Sequence, residues 1–208
     1  MFKITKNEPS FFTKAKLKVK YPKISSAWDS EEIKDIRHQL RGHILQKEQK
    51  LLCAYCEKSI DDNPKNSNID HFRLKAGHLF PEKTLEYDNL LVSCNTKGRC
   101  SNHKDKNIKS KDDYDNIVNP IIEDPDDFFD YLTTGIIVAI DKNPRAEFTI
   151  DIFQLGRNRD DSLSRQRRQL VYILEQNSNL SLDEIYDILG YEFYSFIKAI
   201  YPKLNKEE

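Results

Sequence analysis

Apolar residues recur at helical spacing through Ile33, Ile36, Leu40, Ile44 and Leu45, the stripe that one face of a 3.6-residue turn presents. Asp29 followed by Glu32 resembles a capping box just upstream, so a helix is predicted from about residue 30 to about residue 50. Ahead of it, residues 1–28 are basic and irregular, with Pro9 and Pro22 breaking regular structure. Behind it the helical period is lost: residues 51–110 are rich in Cys, His, Asn and Asp, and an acidic stretch follows around Asp112–Asp130. Ile136-Ile137-Val138-Ala139-Ile140 reads as a short buried strand. Phe148-Thr149-Ile150 is its expected partner, with turn residues Asp141-Lys142-Asn143-Pro144 between them. A further helix is predicted from about Asp160 to about Glu175, and another opens at the capping box Ser181-Leu182-Asp183-Glu184. The last apolar positions are Phe193, Phe196, Ile197 and Ile200. Helix, compact centre, hairpin and helices in that order predict an α+β protein. Its three parts are a basic segment and helix over 1–50, a centre over 51–110, and a hairpin and helical region over 111–208.

Composition changes this picture little. A hydrophobic share of 38% with eleven Phe and ten Tyr supplies a core despite 32% charged residues. No uninterrupted run of about 18 apolar residues predicts a transmembrane helix. Met1-Phe2-Lys3-Ile4-Thr5-Lys6 lacks the apolar region of a secretory signal, so the cytoplasm is the expected address. Charge is uneven along the chain. Residues 1–50 hold 12 Lys/Arg against 6 Asp/Glu, residues 51–110 hold 10 against 8, and residues 111–208 hold 11 against 20. The first half could neutralise phosphates and the second would repel them, although an ordinary solvated surface has the same appearance.

All four cysteines, Cys53, Cys56, Cys94 and Cys100, fall within 48 residues. Cys53-Ala54-Tyr55-Cys56 has the gap at which a tight knuckle aims two thiolates at one ion, and a second, wider pair follows a few dozen residues on. This is the pattern of a tetrahedral zinc site. Two disulfides would need an oxidising compartment, and a redox dithiol would account for the first pair alone. Four thiolates leave no open position, so such a zinc is structural and the chemistry lies elsewhere.

Between the pairs lie Ile69-Asp70-His71-Phe72 and Tyr87-Asp88-Asn89-Leu90-Leu91, and after Cys100 comes Ser101-Asn102-His103-Lys104-Asp105-Lys106. Singly, each is unremarkable; Lys104 and Lys106, for example, read as a solvated helix face. Phosphodiester hydrolysis needs a base for water and a cation for the charge that develops on oxygen. A carboxylate with one more ligand suits a hard divalent ion, and a neutral imidazole can accept the proton. Adjacent residues on an extended segment point apart, so Asp70 and His71 could serve these two roles separately.

In its order of C-x-x-C, Asp-His, Asn-Leu, Cys, Cys and H-x-x-K, the chain resembles the HNH, or ββα-metal, endonucleases over about residues 51–107. The resemblance implies a phosphodiester hydrolase, of DNA or of RNA, with structural zinc on Cys53, Cys56, Cys94 and Cys100 and a catalytic Mg²⁺ or Mn²⁺. It makes Asp70 a ligand of the catalytic metal, His71 the general base and Asn89 the residue that orients His71 through backbone or ring. It makes His103 the second metal ligand, with Asn102 as the alternative. Many relatives carry a proline shortly after Asp-His, where this chain has Leu74. Arg73 and Lys75 beside it, and Lys104 and Lys106 on the later helix, are candidate phosphate contacts.

The flanks narrow the resemblance. Gln46-Lys47-Glu48-Gln49-Lys50-Leu51-Leu52 before Cys53, and the later run Thr149-Ile150 through Leu155-Gly156-Arg157-Asn158, are similar to HNH proteins found with retrons and the Septu anti-phage system. That family implies a cutting subunit working with an ATPase partner of the ABC/SMC type, for which the acidic C-terminal half is the suited contact surface. Two readings compete: a non-catalytic zinc-knuckle module that binds nucleic acid, and a zinc-stabilised scaffold that binds only protein.

Overall fold

A computed structural model describes residues 1–20, 24–76 and 79–204. The N-terminal segment is more regular than its two prolines suggest. Helix α1 spans Ser10–Lys18 and starts directly after Pro9, which stands at its N-cap. A proline at a helix start forfeits a hydrogen bond that the first turn lacks in any case, so Pro9 initiates structure here rather than breaking it. Pro22 lies outside the described residues.

The long helix expected over residues 30–50 is divided in two. Helix α2 covers Glu31–Lys34, α3 covers Arg37–Lys47, and Ile36 between them has φ −101° and ψ −4°. Ser30, not Asp29, is the cap: its Oγ accepts from the Ile33 amide at 3.3 Å. The Asp29 carboxylate instead takes the Arg37 guanidinium at 2.9 Å. The apolar stripe crosses the break unbroken, since Ile33, Leu40, Ile44 and Leu45 are all fully buried. Periodicity alone therefore gives no sign of the interruption.

The centre is a hairpin crossed by a helix. Strand β1, Ser67–His71, pairs antiparallel with β2, Leu90–Cys94, in the register Ser67↔Cys94 to His71↔Leu90. Helix α4, Cys100–Asn107, follows at once. The hairpin has a core on each side. Val92 and Leu90 join Phe12, Trp28, Ile33 and Leu40 from the N-terminal helices. Leu91 joins Tyr55, Phe72, Cys100 and the C-terminal helices in the larger core. Alternation along β1 thus sends odd-numbered residues toward α1–α3 and even-numbered ones toward α4.

The C-terminal hairpin exists, but with other strands than expected. Strand β3 is Phe129–Tyr131 and its partner β4 is Ile137–Ala139. Residues 148–150, expected as a strand, belong to helix α5, Pro144–Phe153. Asn143 and Pro144 read as turn residues but serve as cap and first turn: Asn143 Oδ1 accepts from the amides of Arg145 and Ala146. The hairpin turns instead at Gly135, with φ +81°, where an added Cβ would lie 2.0 Å from the Ser164 carbonyl oxygen. Helices α6 (Ser162–Gln176, capped by Asp161), α7 (Leu182–Leu189, with the Ser181–Glu184 capping box in place) and α8 (Tyr194–Leu204) complete the chain. Small sheets among helices make the fold α+β. Among the described residues no helix is long and apolar enough to cross a membrane.

Candidate active site and metal centre

The four cysteines converge. The Cys53–Cys56 knuckle is tied down by Glu57 N donating to the Cys53 carbonyl (3.1 Å) and Ala54 N donating to Val92 O (3.0 Å). Cys94 ends β2 and Cys100 opens α4 in a left-handed conformation, φ +52°. All four Sγ atoms lie within 4.8 Å of one another, with Cys53–Cys100 at 3.8 Å and Cys56–Cys94 at 3.9 Å. A tetrahedron of Zn–S bonds of about 2.3 Å has an edge of about 3.8 Å, so the spacing matches a zinc set. These separations are far beyond a disulfide bond, and all four cysteines are free. Burial raises the Cys100 thiol pKa, whereas hydrogen bonds from Cys100, Cys53 and Cys56 lower that of Cys94. One anion is thus stabilised at the others' expense, a conflict that a divalent cation removes. The four thiols could hold a zinc ion, and the set has no free coordination position.

Asp70 and His71 sit at the end of β1 on opposite faces of the sheet. Asp70, 3% exposed, points toward α4. Its carboxylate accepts from the Tyr55 hydroxyl and from Lys104 Nζ, the latter at 3.0 Å. Lys104 is completely buried and donates also to the carbonyls of His71 (2.7 Å) and Phe72 (3.0 Å), which commits all three of its protons. Burial opposes its charge, but Asp70 and Asp105 outweigh that and raise its pKa. Tyr55 is held protonated by burial and by Asp70, and its ring stacks on Phe153 of α5 at 4.0 Å.

His71, 6% exposed, faces the N-terminal helices, with its ring 4.7 Å from that of Trp28 in an edge-on contact. Its Nε2 lies 3.0 Å from the Thr84 carbonyl. A carbonyl only accepts, so Nε2 carries the proton and Nδ1 keeps the lone pair in the neutral ring. Burial lowers the His71 pKa to about 4, which keeps the ring neutral near pH 7.

The remaining sequence candidates are distributed unevenly. Asn89 does not touch the His71 ring. Its side chain accepts from Arg73 N (2.7 Å) and donates to the carbonyls of Arg73 (2.9 Å) and Lys83 (3.1 Å), while its own carbonyl accepts from Phe72 N. It thereby ties the backbone just past His71 to the turn that presents Thr84. His103 turns to α5, with Nδ1 2.8 Å from the Ile152 carbonyl. One residue along a helix is a rotation of about 100°, so with Lys104 facing Asp70, His103 points elsewhere. Asn102 is partly exposed on the same helix. Arg73 stacks on Phe80 and lies 3.9 Å from Asp115, Lys75 influences His71 electrostatically, and Lys106 is exposed. Lys104 has no proton free for a phosphate, against its reading as a surface contact.

The residue that sequence reasoning missed is Asp105. Its carboxylate lies 3.1 Å from Lys104 Nζ, so it shares one ammonium with Asp70. The carboxylate is only partly screened from solvent, its side chain 39% exposed, and this partial burial first, and Asp70 second, raise its pKa to about 6. The available signal was helical: Ser101, Lys104 and Ile108 form the buried face of α4, and Asp105, exposed, stands at its edge beside Lys104.

Fold and site define an α+β protein with a four-cysteine centre, beside which an acid and an imidazole lie on opposite faces of one hairpin. No family model matches the chain. Over 108 residues, half of this chain, it is 28% identical to Septu protein PtuB of Bacillus thuringiensis, and the match covers 37% of that protein, so the chain spans a little over a third of this relative. The similarity supports a Septu-associated family.

Proposed function

We propose that this chain is the nuclease subunit of a Septu-type anti-phage defence system, an HNH endonuclease hydrolysing phosphodiester bonds, most naturally of DNA. The observation that carries the reading is the strand end at which Asp70 and His71 diverge beneath α4, stapled by the four cysteines. His71, with its proton fixed on Nε2 by Thr84, presents Nδ1 as the base that takes a proton from water. Asn89 acts on it indirectly, by holding the Thr84 turn.

Asp70 and Asp105 are the residues we assign to a catalytic Mg²⁺ or Mn²⁺, in place of His103 or Asn102. Two carboxylates already gathered about one ammonium, one with a raised pKa, suit a hard cation that keeps most of its waters. When bound, the ion supplies positive charge for the phosphoryl and leaving oxygens. Lys104 fixes Asp70 and the backbone of residues 71–72 in place, and Arg73, Lys75 and Lys106 are the cations we assign to backbone phosphates. Zinc on the four cysteines has a structural role. The resemblance to Septu-associated HNH proteins implies a PtuA-like ATPase of the ABC/SMC type as partner, and the acidic residues of 111–208 are the surface we assign to it.

A second reading has a specific observation in its favour. His71 is buried under Trp28 and both Asp70 oxygens are engaged, as in a satisfied core. That arrangement fits a zinc-stapled binding module without catalysis. Plasmid and RNA cleavage with Mg²⁺ or Mn²⁺, with and without the ATPase, separates the two. Wild type should cut, while His71→Gln and Asp105→Asn should not and His103→Ala should. Absence of cleavage by wild type under every condition would leave the binding module.

A further inference from the structure

Beside the His71 face of the sheet lies a cleft of about 230 Å³ between α3 and β1, lined by Trp28, Arg37, Arg41, Ser67 and Asn68. The two arginines are one helical turn apart on α3, so both guanidiniums reach the same side. Among the described residues neither has a two-pronged carboxylate partner. Arg37 Nη2 is taken by the Trp28 carbonyl and by Asp29 at 2.9 Å, but its Nε is buried without an acceptor. Arg41, 8% exposed, donates Nε to the Asp62 carbonyl at 2.7 Å, and Nη2 lies 3.4 Å from His38 Nδ1. The acids that act on the two arginines are Asp29 at Arg37 and Asp62 and Asp61 at Arg41; Asp62 lies 3.6 Å from the His38 ring. Arg37 Nε is itself closed to solvent, so what the cleft offers an added acceptor is the pair of guanidinium edges that line it, neither held in a carboxylate fork. Guanidinium forks match phosphate oxygens better than they match any neutral group.

The geometry points to a phosphate-binding subsite in which Arg37 and Arg41 together hold one backbone phosphate of the nucleic-acid strand presented to His71. Trp28 connects the two places, since its indole lies over the Arg37 guanidinium at 5.0 Å on one side and against the His71 ring on the other. A phosphate gripped by the arginines therefore lies one indole away from the His71 ring. The identity of the strand as substrate rests on the nuclease reading, but the existence of the subsite does not.

The chain carries a single tryptophan, so Trp28 fluorescence reports on this cleft without interference. In buffer without added Mg²⁺ or Mn²⁺, the wild type is titrated with a short oligonucleotide and, separately, with inorganic phosphate. The oligonucleotide should change the emission saturably and bind more tightly than phosphate. Arg37→Gln should weaken binding at least tenfold, about the factor of one charge-assisted hydrogen bond, and lower the salt dependence of log Kd by about 1. Arg41→Lys keeps the charge but loses the fork, and should weaken binding by a comparable factor. Circular dichroism confirms that both variants are folded. Unchanged oligonucleotide affinity in both folded variants would overturn the subsite, and phosphate binding as tight as the oligonucleotide would overturn the strand as its ligand. Cleavage that persists with Arg-independent binding would sink the subsite and spare the nuclease, whereas Arg-dependent binding without cleavage would do the reverse.

Discussion

Replacing Lys104 by Met tests the central ion pair with little change in bulk. The side chain is fully buried and holds Asp70 at 3.0 Å together with two backbone carbonyls. Its removal strands the Asp70 carboxylate, 3% exposed, with Tyr55 as its remaining hydrogen-bond donor among the described residues, and takes the shared ammonium from Asp105 as well. Breaking a buried pair by deleting one partner costs about 3–5 kcal/mol. The two orphaned carbonyls would each add about 1–3 kcal/mol if nothing relaxed, so the net figure rests near the upper end, about 4–5 kcal/mol. For a chain of this size each kcal/mol moves Tm by about 2–4 °C, which predicts a fall on the order of 10 °C or more. Thermal melts followed by circular dichroism at fixed zinc would measure it. Asp70→Asn in the Lys104→Met background should recover more than about 1 kcal/mol relative to additive behaviour, because the stranded charge is gone. A Lys104→Met protein melting within about 2 °C of wild type, or strictly additive single and double variants, would refute the reasoning.

Other expectations follow from the same geometry. Cys53→Ser should lose bound zinc, read by elemental analysis, and unfold the central segment; apparent zinc affinities of about 10–16 kcal/mol match or exceed a typical domain's whole stability. His71 has its pKa lowered to about 4 by burial, so the unfolded chain takes up a proton near 6.5 that the folded chain refuses. Its contribution is present above pH 6.5 and is lost as pH falls toward 4, about 3 kcal/mol at 1.36 kcal/mol per pH unit. Asp105, with its raised pKa, acts in the opposite sense. The measurement is therefore the stability difference between wild type and His71→Gln from pH 7.5 to 4, and a constant difference would contradict the burial argument. Gly135→Ala should cost more than about 2 kcal/mol by denaturant titration, since φ +81° disfavours a side chain and the new Cβ would meet the Ser164 carbonyl at 2.0 Å.

What could be read from the sequence was local chemistry. The spacing within Cys53–Cys56 and the alternation at Asp70–His71 depend on residues within a few positions, and both emerge as written. The Ser181 capping box is equally local. What could not be read depends on distant partners. A lysine's burial is decided by the acid that meets it, and Asp70 lies 34 residues from Lys104. Strands β3 and β4 have three residues each, too few to display a period, and β-branched Thr149 and Ile150 imitate a strand within α5. Asn143-Pro144 carries the same composition whether it turns a hairpin or starts a helix. The break at Ile36 was hidden because the buried stripe keeps its phase across it.

The first rung of the β1–β2 ladder pairs Ser67 with Cys94. A hairpin that slips by one residue exchanges its two faces entirely. Here such a slip would deliver the imidazole to α4 and the carboxylate to Trp28, inverting acid and base without altering a single residue. Cys94 is at once the last residue of the ladder and one corner of the thiol tetrahedron, and its amide donates to Cys53 Sγ at 3.3 Å. The cysteines thus work as an index pin: by fixing one rung they decide which of two neighbours faces Lys104 on α4 and which faces Trp28.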